Sequence, residues 1–312
     1  PLTEAEIARD VALIHSHLAR TRKSAKYTLL QEIAAVAAVL LVLISITFYL
    51  IDKGDKNNDA SLAQDDQRIL PGKDQAILTL ADGRKIVLDT KASTLLEDDQ
   101  TGIRIKKTAS GALVYEVLAS HPSSAQPPGY NMIQTPRGSQ YQVILPDGTH
   151  IWLNAGSFLK YPIAFIGPKR VVELSGEGYF EVAKNPDMPF IVHTAGQQVE
   201  VLGTHFNISA YADGEPIKTT LLEGKVKVSQ GREQLLMKPN QQISNSGQRL
   251  TLANFPDAAE TIAWKDGLFL FNHEELHSIM TKISRWYDVE VEYKDDLKGQ
   301  FYSGTITKFA SV

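Results

Sequence analysis

The stretch Ile33–Ile51, IAAVAAVLLVLISITFYLI, is nineteen residues long and has no charged side chain. As an α-helix rising about 1.5 Å per residue, it would cover nearly all of a hydrocarbon core of about 30 Å. Its Leu, Ile, Val and Phe side chains each favour insertion by roughly 0.3–0.6 kcal/mol. The alternative is a buried core helix, but core helices are seldom apolar without interruption over this length. The sequence therefore predicts a transmembrane helix over residues 33–51.

The charges on either side of this stretch predict its orientation. Four basic residues precede it, whereas an acidic segment follows it with Asp52, Asp55 and Asp59. By the positive-inside rule, the N-terminus is cytoplasmic and the long C-terminal part is exported. A cleavable signal peptide is the alternative, but about thirty residues precede the apolar run and no A-x-A site follows it. We expect a single-pass signal anchor.

The composition limits what the exported part can be. The chain has 312 residues, a net charge of −4 and no cysteine. After the span and its flanks are subtracted, about 240 exported residues remain, which is enough for one large core and one small core. The weak negative charge argues against nucleic-acid binding. Without disulfides, stability must come from buried apolar side chains. The chain begins with Pro1, so we expect it to be a piece of a longer protein.

Residues 1–32 are predicted to form a short cytoplasmic segment that is mainly helical. Thr3 and Glu6 have the spacing of a capping box. Apolar residues then recur at helical spacing and would share one face: Ile7, Val11, Ile14 and Leu18. A lone helix of this length is marginal in water, so this stripe is expected to pack on a partner protein. The alternative is packing on the lipid surface.

Residues 52–68 are polar and are predicted to be a linker. Residues 69–257 show short alternating runs between turn residues, which is typical of an all-β domain. The segments ILTLADGRKIVLD (77–89) and QVILPDGTHIWLN (142–154) align without gaps, so one hairpin design is expected twice. Further strands are predicted at 170–175, 178–182, 190–194, 198–202, 206–211, 218–222, 225–229 and 233–237. An antiparallel sandwich and a β-solenoid would both bury this pattern.

Residues 258–312 are predicted to form a small α/β domain. A helical connector spans 258–264, and a strand follows at Leu268–Phe271. Asn272 is the expected N-cap of a helix, and further strands are predicted at Val289–Tyr293 and Phe301–Ile306. The apolar stripe of the helix comprises Leu276, Ile279, Met280, Ile283 and Trp286. Three strands and one helix leave a face uncovered, so the domain is expected to be truncated at its C-terminus or completed by a partner.

Several blocks in order carry a resemblance to a known family. They are QTPRGSQYQVILPDGTHIWLNAGSFLKYP, LSGEGYFEVAKNPDMPFIVHT, VEVLGTHFNISAY and TLLEGKVKVS. After a single predicted span, they resemble the FecR-type anti-sigma regulators of Gram-negative bacteria. The tail WKDGLFLF followed by LHSIMTKISRWYDVEVEY is similar to the C-terminal domain of that family, which resembles the STN signalling module of TonB-dependent transducers. The resemblance covers residues 69–312.

The resemblance implies a role in cell-surface signalling. A TonB-dependent outer-membrane receptor would contact the periplasmic part through its signalling domain, and the cytoplasmic segment would control an extracytoplasmic-function (ECF) sigma factor. The regulator would lie in the inner membrane. Ile7, Val11, Ile14 and Leu18 are the expected sigma-factor contacts. This chain departs from the family in its short cytoplasmic segment and in a C-terminal module that lacks its second half.

The incomplete module predicts an edge strand that a partner can extend by β-augmentation. The expected transducer contacts lie on the last predicted strand: Phe301, Ser303 and Thr305.

The loop Thr135–Gly138, TPRG, resembles a phosphate-holding turn only superficially, since no Lys-Ser/Thr pair follows it. No cofactor or metal is expected.

An exported, membrane-tethered enzyme is the alternative function. His273, Glu274 and His277 fit the HExxH pattern, in which two histidines one helical turn apart bind zinc. A third ligand would have to come from a distant strand, so coincidence is favoured. A carbohydrate-active β domain would need paired carboxylates, and no motif places them together.

The junction Gly203–Thr204 is the remaining chemical candidate. The resemblance implies self-cleavage here, because some family members break a Gly-Thr bond in the matching VLGTxF block by an N-to-O acyl shift. The threonine hydroxyl would attack the preceding carbonyl, and glycine would permit the strained turn. The alternative is a glycine bulge between two strands, which involves no chemistry.

Overall fold

The structure is a computed structural model. It describes residues 69–89, 96–98, 103–107, 113–117, 129–295 and 297–310, together with Ala5, Arg9, Ala12 and Leu13, which are helical. The chain divides into two units, Pro1–Arg68 and Ile69–Val312. The predicted span, the linker and the stripe of Ile7, Val11, Ile14 and Leu18 lie outside the described residues. Among those that are described, no helix has the length and apolar character needed to cross a membrane.

The second unit is mainly β, as predicted. Its first eighteen strands are β1 (Lys73–Thr79), β2 (Lys85–Asp89), β3 (Leu96–Asp98), β4 (Ile103–Lys107), β5 (Leu113–Val117), β6 (Tyr130–Thr135), β7 (Ser139–Ile144), β8 (His150–Leu153), β9 (Ser157–Pro162), β10 (Arg170–Glu181), β11 (Phe190–Thr194), β12 (Gln197–Val201), β13 (His205–Ala210), β14 (Ile217–Glu223), β15 (Val226–Gln230), β16 (Glu233–Met237), β17 (Gln241–Asn245) and β18 (Leu250–Asn254). Hydrogen bonds link them all into one network.

Two rows of strands make up this network. One runs β2-β1-β6-β9-β10-β11-β12-β15-β16. The other runs β3-β4-β5-β7-β8-β10-β13-β14-β17-β18. Most neighbours are antiparallel, and one core cluster takes residues from both rows, among them Val192 and Phe206. Because strand side chains alternate in direction, strands of both rows, such as β11 and β13, bury one side against this core.

Strand β10 belongs to both rows. It pairs with β9 up to Ser175 and with β8 from Gly178 onward. Gly176 lies between, at φ 89°, and a Cβ there would lie 2.5 Å from Ser157 Oγ. The sequence predicted two separate strands here. The structure has one twelve-residue strand, because the glycines bend it from one row into the other without ending its hydrogen bonding.

The repeated hairpin is confirmed. In the first copy, the N–H of Leu80 donates to the carbonyl of Arg84, and the carbonyl of Leu80 accepts from the N–H of Gly83. In the second copy, Leu145 makes the same two bonds with Thr149 and Gly148. The two glycines have φ values of 87° and 83°. The aspartates Asp82 and Asp147 each accept a hydrogen bond from the backbone N–H two residues on. The turn chemistry read from the sequence therefore determines both hairpins.

The C-terminal part contains a 3₁₀ helix (Ala258–Asp266), strand β19 (Leu268–Glu275), an α-helix (Leu276–Tyr287) and strand β20 (Phe301–Thr307). The predicted connector, helix and outer strands are present. The predicted N-cap is wrong: Asn272 lies inside β19, and Glu275 precedes the helix. The strand predicted over 289–293 is also wrong. Residues 289–292 alternate in exposure, but the segment pairs with no described strand.

Candidate protein-interaction site

Strand β20 forms one edge of a two-stranded sheet. It pairs antiparallel with β19, and none of the strands described elsewhere in the chain pairs with its other edge. All seven residues, FYSGTIT, are exposed and uncharged. Native edge strands are usually protected by charges, proline or a bulge. An uncharged, exposed edge is therefore a candidate site for pairing with another chain.

One face of β20 is on the same side of the sheet as the α-helix. The apolar surface on this face extends beyond the part that the helix covers. Ile306 is paired with Phe269 in the register, and both lie on this face. Phe269 and Phe271 are buried in a cluster with Ile279, Trp286 and Tyr287 of the helix. Ile306 and Tyr302 remain 50% and 49% exposed. The buried cluster thus continues into an open apolar strip at the edge.

The predicted contact residues Phe301, Ser303 and Thr305 all lie on this strand and are exposed. Ser303 Oγ accepts a hydrogen bond of 2.8 Å from the backbone N–H of His273. His273 sits in an irregularity of β19 with φ 47°, and its ring stacks on Phe301 at 4.6 Å. Their role as transducer contacts stays a prediction.

The HExxH residues do not form the geometry that zinc peptidases use. His273 and Glu274 lie in β19, and only His277 lies in the helix. The ring of His277 lies 5.2 Å from that of Tyr293, and Glu274 accepts hydrogen bonds from Ser278 and Lys282. In the described part of the chain, no three His, Cys, Asp or Glu residues could hold a metal ion together. Because the two histidines do not share a helix, the motif is a coincidence of sequence.

The helix packs on the β domain through its C-terminal turn. Trp286 is 1% exposed, and its Nε1 donates a hydrogen bond of 2.7 Å to the carbonyl oxygen of Lys308. Arg285 is ion-paired with Asp213, and its guanidinium lies 3.8 Å from the centroid of the Tyr211 ring. Burial raises the pKa of Tyr211. These contacts seat the C-terminal helix against the loop after β13.

Lys308, directly after β20, is fully buried. Its Nζ lies 3.7 Å from the centroid of the Trp286 ring and donates hydrogen bonds to Gln140 Oε1 (3.0 Å) and to the Trp264 carbonyl (3.1 Å). Burial lowers the pKa of Lys308 to about 7, while Glu177 and Asp74 act in the opposite direction. Sequence reasoning missed this residue, because lysine is almost always exposed in folded proteins.

In the junction Gly203–Thr204, the backbone conformation and the close packing around position 203 both favour glycine. Gly203 has φ 148°, and a Cβ there would lie 2.7 Å from Lys184 Cα. Thr204 is buried, and its Oγ1 donates to the Lys225 carbonyl at 3.0 Å. His205 begins β13, where the register shifts, and its Nδ1 lies 3.3 Å from Glu223 Oε2. The register irregularity lies between His205 and Phe206 in the pairing with β14 rather than at Gly203, and self-cleavage at this junction stays a prediction.

Comparisons with known proteins agree with this architecture. The family model described as FecR protein matches residues 131–227, and the model described as FecR, C-terminal matches residues 268–312. Two crystal structures of a candidate anti-sigma factor from Parabacteroides distasonis ATCC 8503, at 2.50 Å and 1.65 Å resolution, are each 32% identical to this chain with a TM-score of 0.54. The matches cover 58% and 57% of this chain and 86% and 85% of those chains. No curated protein is significantly similar.

These matches place the chain among regulatory proteins, and an anti-sigma factor of this kind has a sigma factor as its partner. The chain belongs to the FecR family of anti-sigma factors.

Proposed function

We propose that this protein is a single-pass inner-membrane regulator that links the signalling domain of a TonB-dependent outer-membrane receptor to an ECF sigma factor. The N-terminal segment lies in the cytoplasm and the β domain in the periplasm. The unpaired β20 edge, within a segment that matches the FecR C-terminal model, is the observation that carries the proposal. It supplies the surface that a relay needs on the receiving side.

The proposed contact with the sigma factor is inferred from family membership and from the amphipathic stripe of the N-terminal segment. A FecR-family anti-sigma factor has a sigma factor as its partner. The apolar stripe of Ile7, Val11, Ile14 and Leu18 is the part of residues 1–32 best suited to bury area against a protein. An apolar helix face laid in a groove is a common mode of recognition.

Substituting two stripe residues tests the cytoplasmic contact. Val11→Asp with Ile14→Asp places two charges in the interface, and we expect co-purification of the ECF sigma factor that this protein binds to fall at least tenfold. Ala12→Asp with Ser16→Asp is the matched control, because at 100° per residue it adds the same charge on the opposite face. Equal co-purification with both pairs would show that the stripe is not the contact.

The periplasmic contact is proposed to form by strand addition at β20. The backbone groups of an unpaired edge supply the hydrogen bonds for an added strand, and exposed side chains supply the selectivity. Phe301, Ser303 and Thr305 would contact the partner on one face of the strand. Tyr302 and Ile306 would contact it on the other, where the apolar strip is open.

Amide hydrogen exchange measures this pairing directly. On adding the isolated signalling domain of the TonB-dependent receptor, we expect exchange in Phe301–Thr307 to slow at least tenfold. Strand β18 (Leu250–Asn254) is the internal control, because it also ends its row of strands and is largely exposed. Unchanged exchange in β20, or equal slowing in β18, would exclude specific strand addition.

A further inference from the structure

The turn Thr135–Gly138 between β6 and β7 holds the C-terminal end of the helix Leu276–Tyr287. Arg137 Nη2 donates hydrogen bonds to the carbonyl oxygens of Ser284 (2.8 Å) and Val289 (2.9 Å), and its Nε pairs with Asp288 Oδ1 at 3.1 Å. Carbonyl groups at a helix C-terminus lack intrahelical partners and carry partial negative charge. The planar guanidinium donates to two carbonyls and one carboxylate at once, and the Ser284 carbonyl also accepts from the N–H of Val289.

Gly138 joins this helix end to the start of the β domain. Its N–H donates to the carbonyl of Arg285 (2.7 Å), and its carbonyl accepts from the N–H of Lys73 (3.0 Å). Its φ is 68°, a conformation that favours glycine. One residue therefore bonds to the helix through its amide and to the first residue of β1 through its carbonyl.

The start of β1 also contacts the helix by packing. A Cβ at Gly72 would lie 2.8 Å from the ring of Trp286 and 2.8 Å from the Gly138 carbonyl oxygen. Strands β1 and β7 then pair in parallel, with Lys73 opposite Ser139. In the sequence, Gly72 lies just after Arg68, the last residue of the first unit. The helix end, the turn and the start of the β domain thus meet at one point.

We infer that the turn Thr135–Gly138 is a mechanical coupling element, through which a displacement of the helix C-terminus loosens Gly72 and Lys73, where the chain from the N-terminal unit enters the β domain. The contacts of Gly138 transmit it: if the Arg285 carbonyl moves away, the turn loses its anchor and the bond to Lys73 weakens. Coupling of this kind is reciprocal, so a disturbance at Gly72 must also reach the helix end. The coupling belongs to the described fold and holds whichever protein binds the C-terminal segment.

Amide hydrogen exchange in the full chain tests the coupling from the helix C-terminus to Gly72 and Lys73. Arg137→Ala is expected to speed amide exchange of residues 72–75 at least fivefold and that of 284–289 by a similar factor. Exchange in the pairing of β10 with β13 should stay within twofold of wild type. Arg249→Ala, which removes an exposed arginine from the same domain, is the matched control and should change neither segment. Faster exchange confined to residues 284–289 would overturn the inference.

Gly72→Ala tests the reverse direction. The added methyl pushes on the Trp286 ring and the Gly138 carbonyl, and exchange of residues 284–289 is expected to rise at least fivefold. Gly304→Ala, at a glycine without a positive φ whose Cβ would meet nothing within 4 Å, controls for loss of a glycine. A rise restricted to residues 72–75 would also overturn the coupling. Neither test requires a partner, so its outcome is independent of whether the proposed receptor and sigma factor bind.

Discussion

Replacing Trp286 with alanine is expected to destabilise the C-terminal segment by about 3–5 kcal/mol, the usual cost of truncating a fully buried tryptophan. The indole is 1% exposed and lies edge-on to Phe309 at 6.1 Å. It also donates to the Lys308 carbonyl and forms one wall of the Lys308 site. Its removal leaves a cavity at the point where helix, β20 and β domain meet.

Limited proteolysis and hydrogen exchange locate the effect. In Trp286→Ala, residues 268–310 should become protease-sensitive and exchange at least tenfold faster, whereas β10 and β13 remain protected. Trp152→Ala is the matched control, because Trp152 is a partly exposed tryptophan on the face of β8. A uniform loss of protection across both segments would show that the C-terminal segment and the β domain unfold as one unit.

The buried lysine predicts an unusual dependence of stability on pH. Burial lowers the pKa of Lys308 from 10.5 to about 7, so the native state binds this proton less tightly than the unfolded chain does. Between these two pH values the unfolded chain binds more protons than the native state does. The free energy of unfolding therefore rises with pH. The cost of burying the charge is fully present below pH 7 and disappears as pH rises toward 10.5. The expected gain in unfolding free energy from pH 7 to pH 9 is about 2 kcal/mol.

Lys308→Met isolates this contribution, because methionine fills similar space without a charge. Its stability advantage over wild type should be largest near pH 7 and shrink toward pH 9 in denaturant titrations. Burial raises the pKa of Tyr141 to about 12, and such tyrosines oppose the trend only near pH 10, so the range ends at pH 9. Lys169→Met, at an exposed lysine, should follow the wild-type slope. A constant difference between Lys308→Met and wild type would show that Lys308 does not titrate in this range.

Most of the β domain could be predicted from local patterns. Alternating exposure is a property of each strand, and Asp-Gly turns specify their own geometry, so the hairpins at 77–89 and 142–154 follow from a few adjacent residues. The family resemblance is similarly local, and the matches at residues 131–227 and 268–312 confirm it. The open edge at Phe301–Thr307 was also expected, because a short sheet with one helix leaves an edge uncovered.

The sequence-based predictions were wrong where a local pattern competed with long-range strand pairing. Asn272 has the chemistry of a helix cap, but β19 continues past it because Glu274 and Glu275 pair with Tyr302 and Phe301. This pairing also keeps His273 and Glu274 out of the helix and removes the apparent zinc motif. Residues 289–293 alternate like a strand, yet alternation alone cannot supply the neighbouring backbone that a strand requires.

The sequence was sufficient to predict the all-β character of the domain, the two hairpin turns, a helix over most of Leu276–Tyr287 and the resemblance to the FecR family, because each depends on residues close together in the chain. The three-dimensional fold was needed to show that Arg137 and Gly138 hold the helix end, that Gly138 bonds to Lys73, and that Lys308 is buried beside Trp286. Those contacts join residues more than twenty positions apart, and the pairing of distant segments is set by the packing of the whole core rather than by any local pattern.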